Sequence, residues 1–171
     1  MDDQLHDVLE RSMVPYLAAA PADWVRIVLW AIRLVDTDGS LAGFSTVAIA
    51  VTYDEEGGLG QAYVVPPALE QLRGSTLDPL TSGGPEEGWT VLRVEADRDG
   101  SHRFDFGADA PHPVEGSATD EFWDALDEYL DRNRDQLEEL VGRLGDQGAL
   151  PAPATPEGGA GGSGRQLFGR S

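Results

Sequence analysis

From Trp24 to Val35 almost every residue is apolar, with Arg26 and Arg33 the only charged interruptions. The run is rich in Val, Ile and Trp and shows no alternation of apolar and polar positions. That pattern belongs to a strand covered on both faces, so the fold needs a layer on each side of it. Asp36-Thr37-Asp38-Gly39 then reads as a hairpin turn, because Gly after Asp accepts positive φ without strain. Leu41 to Tyr53 follows as the returning strand, with Val47, Ile49, Val51 and Tyr53 alternating onto one face.

The remaining elements assemble around this pair. Leu5, Val8, Leu9, Met13, Tyr16 and Leu17 recur at helical spacing, so Asp3 to Ala20 reads as an amphipathic helix that Pro15 should kink or end. Asp54 to Gly60 is an acidic, glycine-rich turn, and Gln61 to Val65 is a short third strand closed by Pro66-Pro67. A loop to Gly88 contains one helical turn, Ala68 to Arg73. Trp89, Val91, Arg93 and Glu95 alternate with Thr90, Leu92, Val94 and Ala96. Asp97-Arg98-Asp99-Gly100 turns the chain, and His102, Phe104 and Phe106 alternate on the return.

Ser117 and Thr119 offer caps for a long last helix that Gly145 should stop. Its apolar stripe is Trp123, Leu126, Leu130, Leu137, Leu140 and Leu144, with Asn133 the one polar member, and this face should cover the sheet. Beyond Asp146 the composition shifts to Gly, Pro, Ala and Ser, the signature of a disordered tail. The expected fold is α+β: an antiparallel sheet of about five strands flanked by an N-terminal helix and a long C-terminal helix. Residues 1–145 form that single domain and 146–171 the tail.

Charge and composition narrow the function. The chain carries 31 acidic residues against 12 arginines and no lysine, a net charge of -19. Such a field favours basic partners and repels nucleic acid and anionic lipid. The absence of cysteine excludes disulfides, thiolate metal sites and a cysteine nucleophile. Met1-Asp2-Asp3-Gln4 is acidic where a secretory leader is basic. Asp23, Arg26 and Arg33 break the most apolar region below the ~18 residues a membrane helix needs. A cytosolic protein is expected.

No catalytic motif emerges. Asp36–Gly39 and Asp97–Gly100 open like calcium loops but lack the later ligands, and both sit at hairpin turns. His6, His102 and His112 lack the close pairing of zinc motifs. Gly57-Gly58-Leu59-Gly60 has neither the lysine of a phosphate loop nor a helix at dinucleotide-binding spacing, and no serine lies in a Gly-x-Ser-x-Gly elbow. Neither a metal nor a cofactor is implied. The acids that remain are Asp54, Glu55, Glu56, Glu86 and Glu87 on loops, and Asp124, Asp127, Glu128 and Asp131 on the last helix. They read as a solvated face or as a surface that meets a basic partner.

One resemblance sharpens this. Gly88-Trp89-Thr90-Val91-Leu92-Arg93-Val94, the Asp99-Gly100 turn, Phe104-Asp105-Phe106 and the acidic Phe122-Trp123 helix are similar to the YezG-like immunity proteins of bacterial polymorphic toxin systems. Asp23-Trp24 leading from a helix into a strand fits the same pattern, so the likeness spans about Leu5 to Leu144. The chain departs from it in the stretch from Pro66 to Glu87 and in the tail. The resemblance implies a cytosolic antitoxin that binds a cognate secreted toxin domain, nuclease or NAD-degrading, and occludes its active site. It carries no catalytic residues. A secretion chaperone holding an exported substrate is the alternative binding role.

Overall fold

The computed structural model describes residues 3–54, 56–65, 89–107, 112–113 and 126–150. In chain order the elements are α1 (Asp3–Ala19), β1 (Trp24–Val35), β2 (Leu41–Tyr53), β3 (Leu59–Tyr63), β4 (Val91–Asp97), β5 (His102–Gly107), β6 (His112–Pro113), α2 (Tyr129–Arg132) and α3 (Arg134–Asp146). The strands lie in the order β3-β2-β1-β4-β5 with every neighbouring pair antiparallel. The α+β architecture expected from the sequence is present, and the apolar run holds the central position.

Both faces of β1 are covered, as its lack of alternation requires. On one face Ile27, Leu29 and Ala31 join Ala48, Ala50, Leu92 and Val94 beneath Met13 and Tyr16 of α1. The alanines make a shallow floor that admits the helix, and the Tyr16 hydroxyl donates to Thr46 Oγ1 at 2.9 Å. On the other face Val28, Trp30, Ile49 and Val51 pack against Leu126, Tyr129, Leu137, Leu140 and Leu144. The stripe of the last helix therefore covers the sheet, and its three α3 leucines are at most 1% exposed.

All three hairpin turns share one construction. Asp36, Asp54 and Asp97 each accept a bond from the amide of the glycine three residues on, at 2.9, 3.1 and 3.0 Å. Gly39, Gly57 and Gly100 hold φ of 82°, 86° and 87°, which costs an L side chain but not glycine. Ser40 and Ser101 amides each bond the carboxylate two residues earlier at 2.9 Å. The two Asp-x-Asp-Gly stretches are thus turn chemistry rather than calcium loops.

The structure departs from the sequence reading in several places. Pro15 neither ends α1 nor falls at its edge. Met13 and Tyr16 beside it are 3% exposed, and their packing offsets the backbone bond that proline cannot make. β3 begins at Leu59 rather than Gln61, because Gly60 pairs with Thr52 and extends the ladder into the glycine-rich turn. The two-residue β6 pairs in parallel with Leu34 and Val35, past the end of the β1–β4 ladder.

The last helix is interrupted at Asn133, whose φ of -113° and ψ of 12° leave the helical well. Its side-chain amide donates to the Tyr129 carbonyl at 2.8 Å, the local competition by which Asn disfavours helix interiors. Gly145 does not stop this helix. Gly148, at φ 66°, does so instead, with Gly148 N–H to Gly145 O at 3.0 Å and Ala149 N–H to Leu144 O at 2.8 Å. Ala149 and Leu150, expected in the tail, pack on the lower core. The loop through 66–87, the caps Ser117 and Thr119, Trp123 and the tail beyond Leu150 lie outside the described residues.

Candidate functional site

Of the acidic residues singled out from the sequence, Asp54, Glu56 and Asp127 lie at the two ends of β3. Asp54 and Glu56 are exposed in the turn that opens into this strand. Asp127 is exposed at its far end, where its carboxylate accepts a bond from the Tyr63 hydroxyl at 3.3 Å. Glu128 and Asp131 follow, also exposed, and pair with Arg132 at 2.8 Å and Arg134 at 2.9 Å. Exposed pairs of this kind contribute little to stability. Asp54 has a structural duty as well, since its Oδ1 accepts the amides of Glu56 and Gly58 at 3.0 and 2.7 Å. Glu55, Glu86, Glu87 and Asp124 lie outside the described residues.

Sequence reasoning missed a second constellation, a charged cluster beneath the C-terminal helical segment. The pairing Arg26↔Asp97, Glu95↔Arg103 and Arg93↔Asp105 sets opposite charges directly across neighbouring strands. Arg26, 4% exposed, donates to Asp97 from Nε at 2.6 Å and from Nη2 at 3.0 Å. Burial alone would lower its pKa, but the bond to Asp97 and the nearby Tyr129 outweigh that and hold the guanidinium charged.

Three guanidiniums converge on Glu95, itself 2% exposed: Arg26 at 3.4 Å, Arg93 at 3.5 Å, and Arg103, whose Nε donates directly to it. The Tyr129 hydroxyl donates to Glu95 Oε1 at 2.9 Å and accepts from Arg26 at 3.4 Å, tying the helix to the cluster. Burial, reinforced by the Glu95 carboxylate, pushes the Tyr129 phenol up to about 12. Arg143 closes the far side, reaching Asp99 at 3.0 Å and Asp97 at 3.4 Å.

Arg26, Glu95, Asp97, Arg103 and Arg143 line a polar cleft of about 420 Å³ between α3 and the β4–β5 hairpin, with Gln136 and Glu139 on its helical wall. The division of labour on α3 follows from its periodicity. Leu137, Leu140 and Leu144 meet the apolar strands β1 and β2, while Gln136, Glu139 and Arg143 meet the charged hairpin.

Arg26, Arg93, Arg103, Arg143, Glu95, Asp97 and Tyr129 are bonded to one another across the cluster. Ser101 Oγ donates to Asp99 at 2.6 Å rather than to a base. The neighbouring His102 turns toward α1, its Nε2 lying 3.6 Å from Glu10. A serine, a histidine and an aspartate adjacent in sequence therefore do not form a relay. Among the described residues, no group of three or more His, Asp or Glu side chains is placed to hold a metal ion. No described helix is long and apolar enough to cross a membrane. The cluster is an internal cross-link between sheet and helix. Neither protein-family models nor curated protein sequences give a match to this chain.

Proposed function

We propose that this chain is an immunity-type protein, a stoichiometric inhibitor that covers the active site of a basic, secreted toxin domain with nuclease or NAD-degrading activity. The observation that carries the reading is where the cations go. Arg26, Arg93, Arg98, Arg103 and Arg143 all bond carboxylates or carbonyls of their own fold, and Arg11, Arg132 and Arg134 are each clipped to an acid on the same helical stretch. Glu56, Asp135, Glu139 and Asp146 are exposed and have no ion pair among the described residues. Of the described arginines all but Arg33 are thus bonded within the fold, while these acids face solvent on a chain of net charge -19. Enzymes acting on RNA, DNA or NAD need cationic pockets for phosphate, and an acidic surface complements such a pocket.

The inhibitor works by occlusion, so it needs no catalytic group. Acids on the β3 border speed encounter, and packed contacts at the centre of the interface set the residence time. The test is co-purification with the candidate toxin domain, growth protection of cells expressing it, and association rates at low and high salt. One variant carries Glu56→Gln, Asp127→Asn, Glu128→Gln and Asp131→Asn and retains Asp54 for its turn. It should associate more slowly and with a flatter salt dependence. A parent protein that neither binds nor protects refutes the reading, and a salt-indifferent complex with an extended apolar segment identifies a secretion chaperone instead.

A further inference from the structure

Of the two strands that border the sheet, one is defended against further pairing and the other is not. On β5 the Arg103 and Asp105 side chains are 53% and 65% exposed, a charged pattern that discourages strand addition. β3, Leu59-Gly60-Gln61-Ala62-Tyr63, carries no charge. The bonds from Val64 N–H to Ala48 O at 2.9 Å and from Asp54 N–H to Gly58 O at 3.0 Å fix which of its backbone groups face β2. Bonded and unbonded pairs alternate in an antiparallel ladder, so the register Ala50↔Ala62 and Thr52↔Gly60 turns these even-numbered residues toward β2. The N–H and C=O groups of Leu59, Gln61 and Tyr63 therefore point away from the sheet, and nothing among the described residues pairs with them.

Other features mark the same edge. Tyr63 and Val65 are 56% and 68% exposed, two of the three large apolar side chains exposed to this degree among the described residues. Gln61 donates from Nε2 to the Leu126 carbonyl at 3.3 Å, while its buried Oε1 meets no donor among the described residues. Glu56 at one end of the strand and Asp127 at the other are exposed, and among the described residues neither has an ion pair, Asp127 accepting only the Tyr63 hydroxyl.

We infer that β3 accepts an extended segment of the basic partner as an added strand, with Arg or Lys at the segment's two ends meeting Glu56 and Asp127 and an apolar side chain lying against Tyr63. The inference rests on the inhibitor reading and adds to it the mode of attachment. Five strand residues span about 17 Å, so a segment of about seven places a cation at each end. Backbone bonds to the outward groups of β3 hold any extended chain, and the acids select a cationic one. A second copy of this chain fits less well. Both ends of β3 are acidic, so pairing it with itself in either direction sets carboxylate against carboxylate.

The experiment uses the full chain and the peptide acetyl-Arg-Val-Thr-Val-Thr-Val-Arg-amide. Controls are the same peptide with Asp at both ends and two N-methylated forms, one methylated at the three Val and the other at the two Thr. In the free protein the Gln61 and Tyr63 amides should exchange with solvent faster than those of Gly60 and Ala62. The first peptide should shift these outward amides saturably and slow their exchange. One N-methylated form should bind as well and the other should not bind, because only alternate N–H groups of an added strand face β3. The Asp-flanked peptide should bind roughly tenfold more weakly at low salt, by a margin that shrinks as salt rises. Tyr63→Pro removes an outward N–H and leaves the ladder to β2 intact, so it should weaken binding roughly tenfold. The contrast between N-methylated forms needs no variant and stands even where Tyr63→Pro fails to fold.

Absent shifts, outward amides already protected in the free monomer, a dimer formed through β3, N-methylated forms that behave alike, or equal binding of the Asp-flanked peptide overturn the inference. With a cognate domain in hand, Tyr63→Pro should speed its dissociation. Unchanged dissociation removes the strand pairing and leaves the inhibitor reading intact. A peptide that pairs with β3 of a protein that binds no toxin domain removes the inhibitor reading instead.

Discussion

Replacing Asp97 by Leu should cost about 3–5 kcal/mol, more than replacing Arg26 by Leu, although the two residues form one ion pair. The asymmetry follows from what each substitution leaves behind. Without Asp97, the Arg26 guanidinium keeps only Glu95 at 3.4 Å and the Tyr129 hydroxyl at 3.4 Å, and with its side chain 5% exposed it cannot reach water. A buried charge stripped of its bidentate partner costs about 3–5 kcal/mol. Without Arg26, neither carboxylate is stranded. Asp97 retains Arg143 at 3.4 Å and Ser101 at 3.3 Å, while Glu95 retains Arg103, Arg93 and the Tyr129 hydroxyl. That variant should lose only about 1–3 kcal/mol, the scale of hydrogen bonds to charged groups.

Removing both residues should cost little more than removing Arg26 alone, giving a coupling of about 3–5 kcal/mol, nearly the whole cost of Asp97→Leu. Urea unfolding of the parent, the two single variants and the double variant reads these differences directly. With an m-value of about 2 kcal/mol/M, Asp97→Leu should lower the midpoint by roughly 1.5–2.5 M. Single variants within about 0.5 kcal/mol of each other, or a double variant equal to the sum of the singles, would refute the reasoning.

Three further outcomes are expected. Leu137→Ala should cost about 2–5 kcal/mol in the same assay, whereas Leu130→Ala, at a partly buried position, should cost distinctly less. Gly148→Ala should lower stability by about 1 kcal/mol from backbone strain alone, since a β-carbon there meets nothing within 4 Å while φ is 66°. Alkaline titration should destabilise the fold between about pH 10 and pH 12. The Tyr129 phenol stays neutral in the folded state up to about 12 while the unfolded chain ionises near 10, so stability is full below pH 10 and falls as pH rises. Tyr129→Phe should flatten that fall, and an unchanged alkaline limb would show that Tyr129 is not the titrating group.

Elements whose signal is local were legible in the sequence. The apolar run Trp24–Val35, interrupted only by Arg26 and Arg33, announced a central strand, the paired Asp-x-Asp-Gly turns announced hairpins, and the leucines of α3 announced a sheet-covering face. Boundaries set by competing local bonds were not. Asn133 reads as one polar gap in a stripe, and only its bond to the Tyr129 carbonyl reveals an interruption. β6 has too few residues for any periodicity and contains a proline. The charged cluster was hidden because Arg26, Glu95 and Tyr129 come from distant parts of the chain. One signal was available: an arginine inside a strand buried on both faces needs a carboxylate from a neighbouring strand, and alternation put Arg93 and Glu95 on one face.

The order of strands also dictates how the chain must travel to its native state. β1, β2 and β3 are joined by short turns and form a meander from neighbouring residues, and β4 and β5 form a second local hairpin. The ladder that unites them, Arg26↔Asp97 through Ile32↔Val91, closes a far longer stretch of chain. That closure carries the entropic cost before its contacts form, so it is the step expected to limit the folding rate. Because the cost grows only logarithmically, doubling the length of the 64–90 connection would change it by only about 0.6 kcal/mol. The topology thus lets that connection change in length at little energetic cost while the two hairpins and their seam are kept.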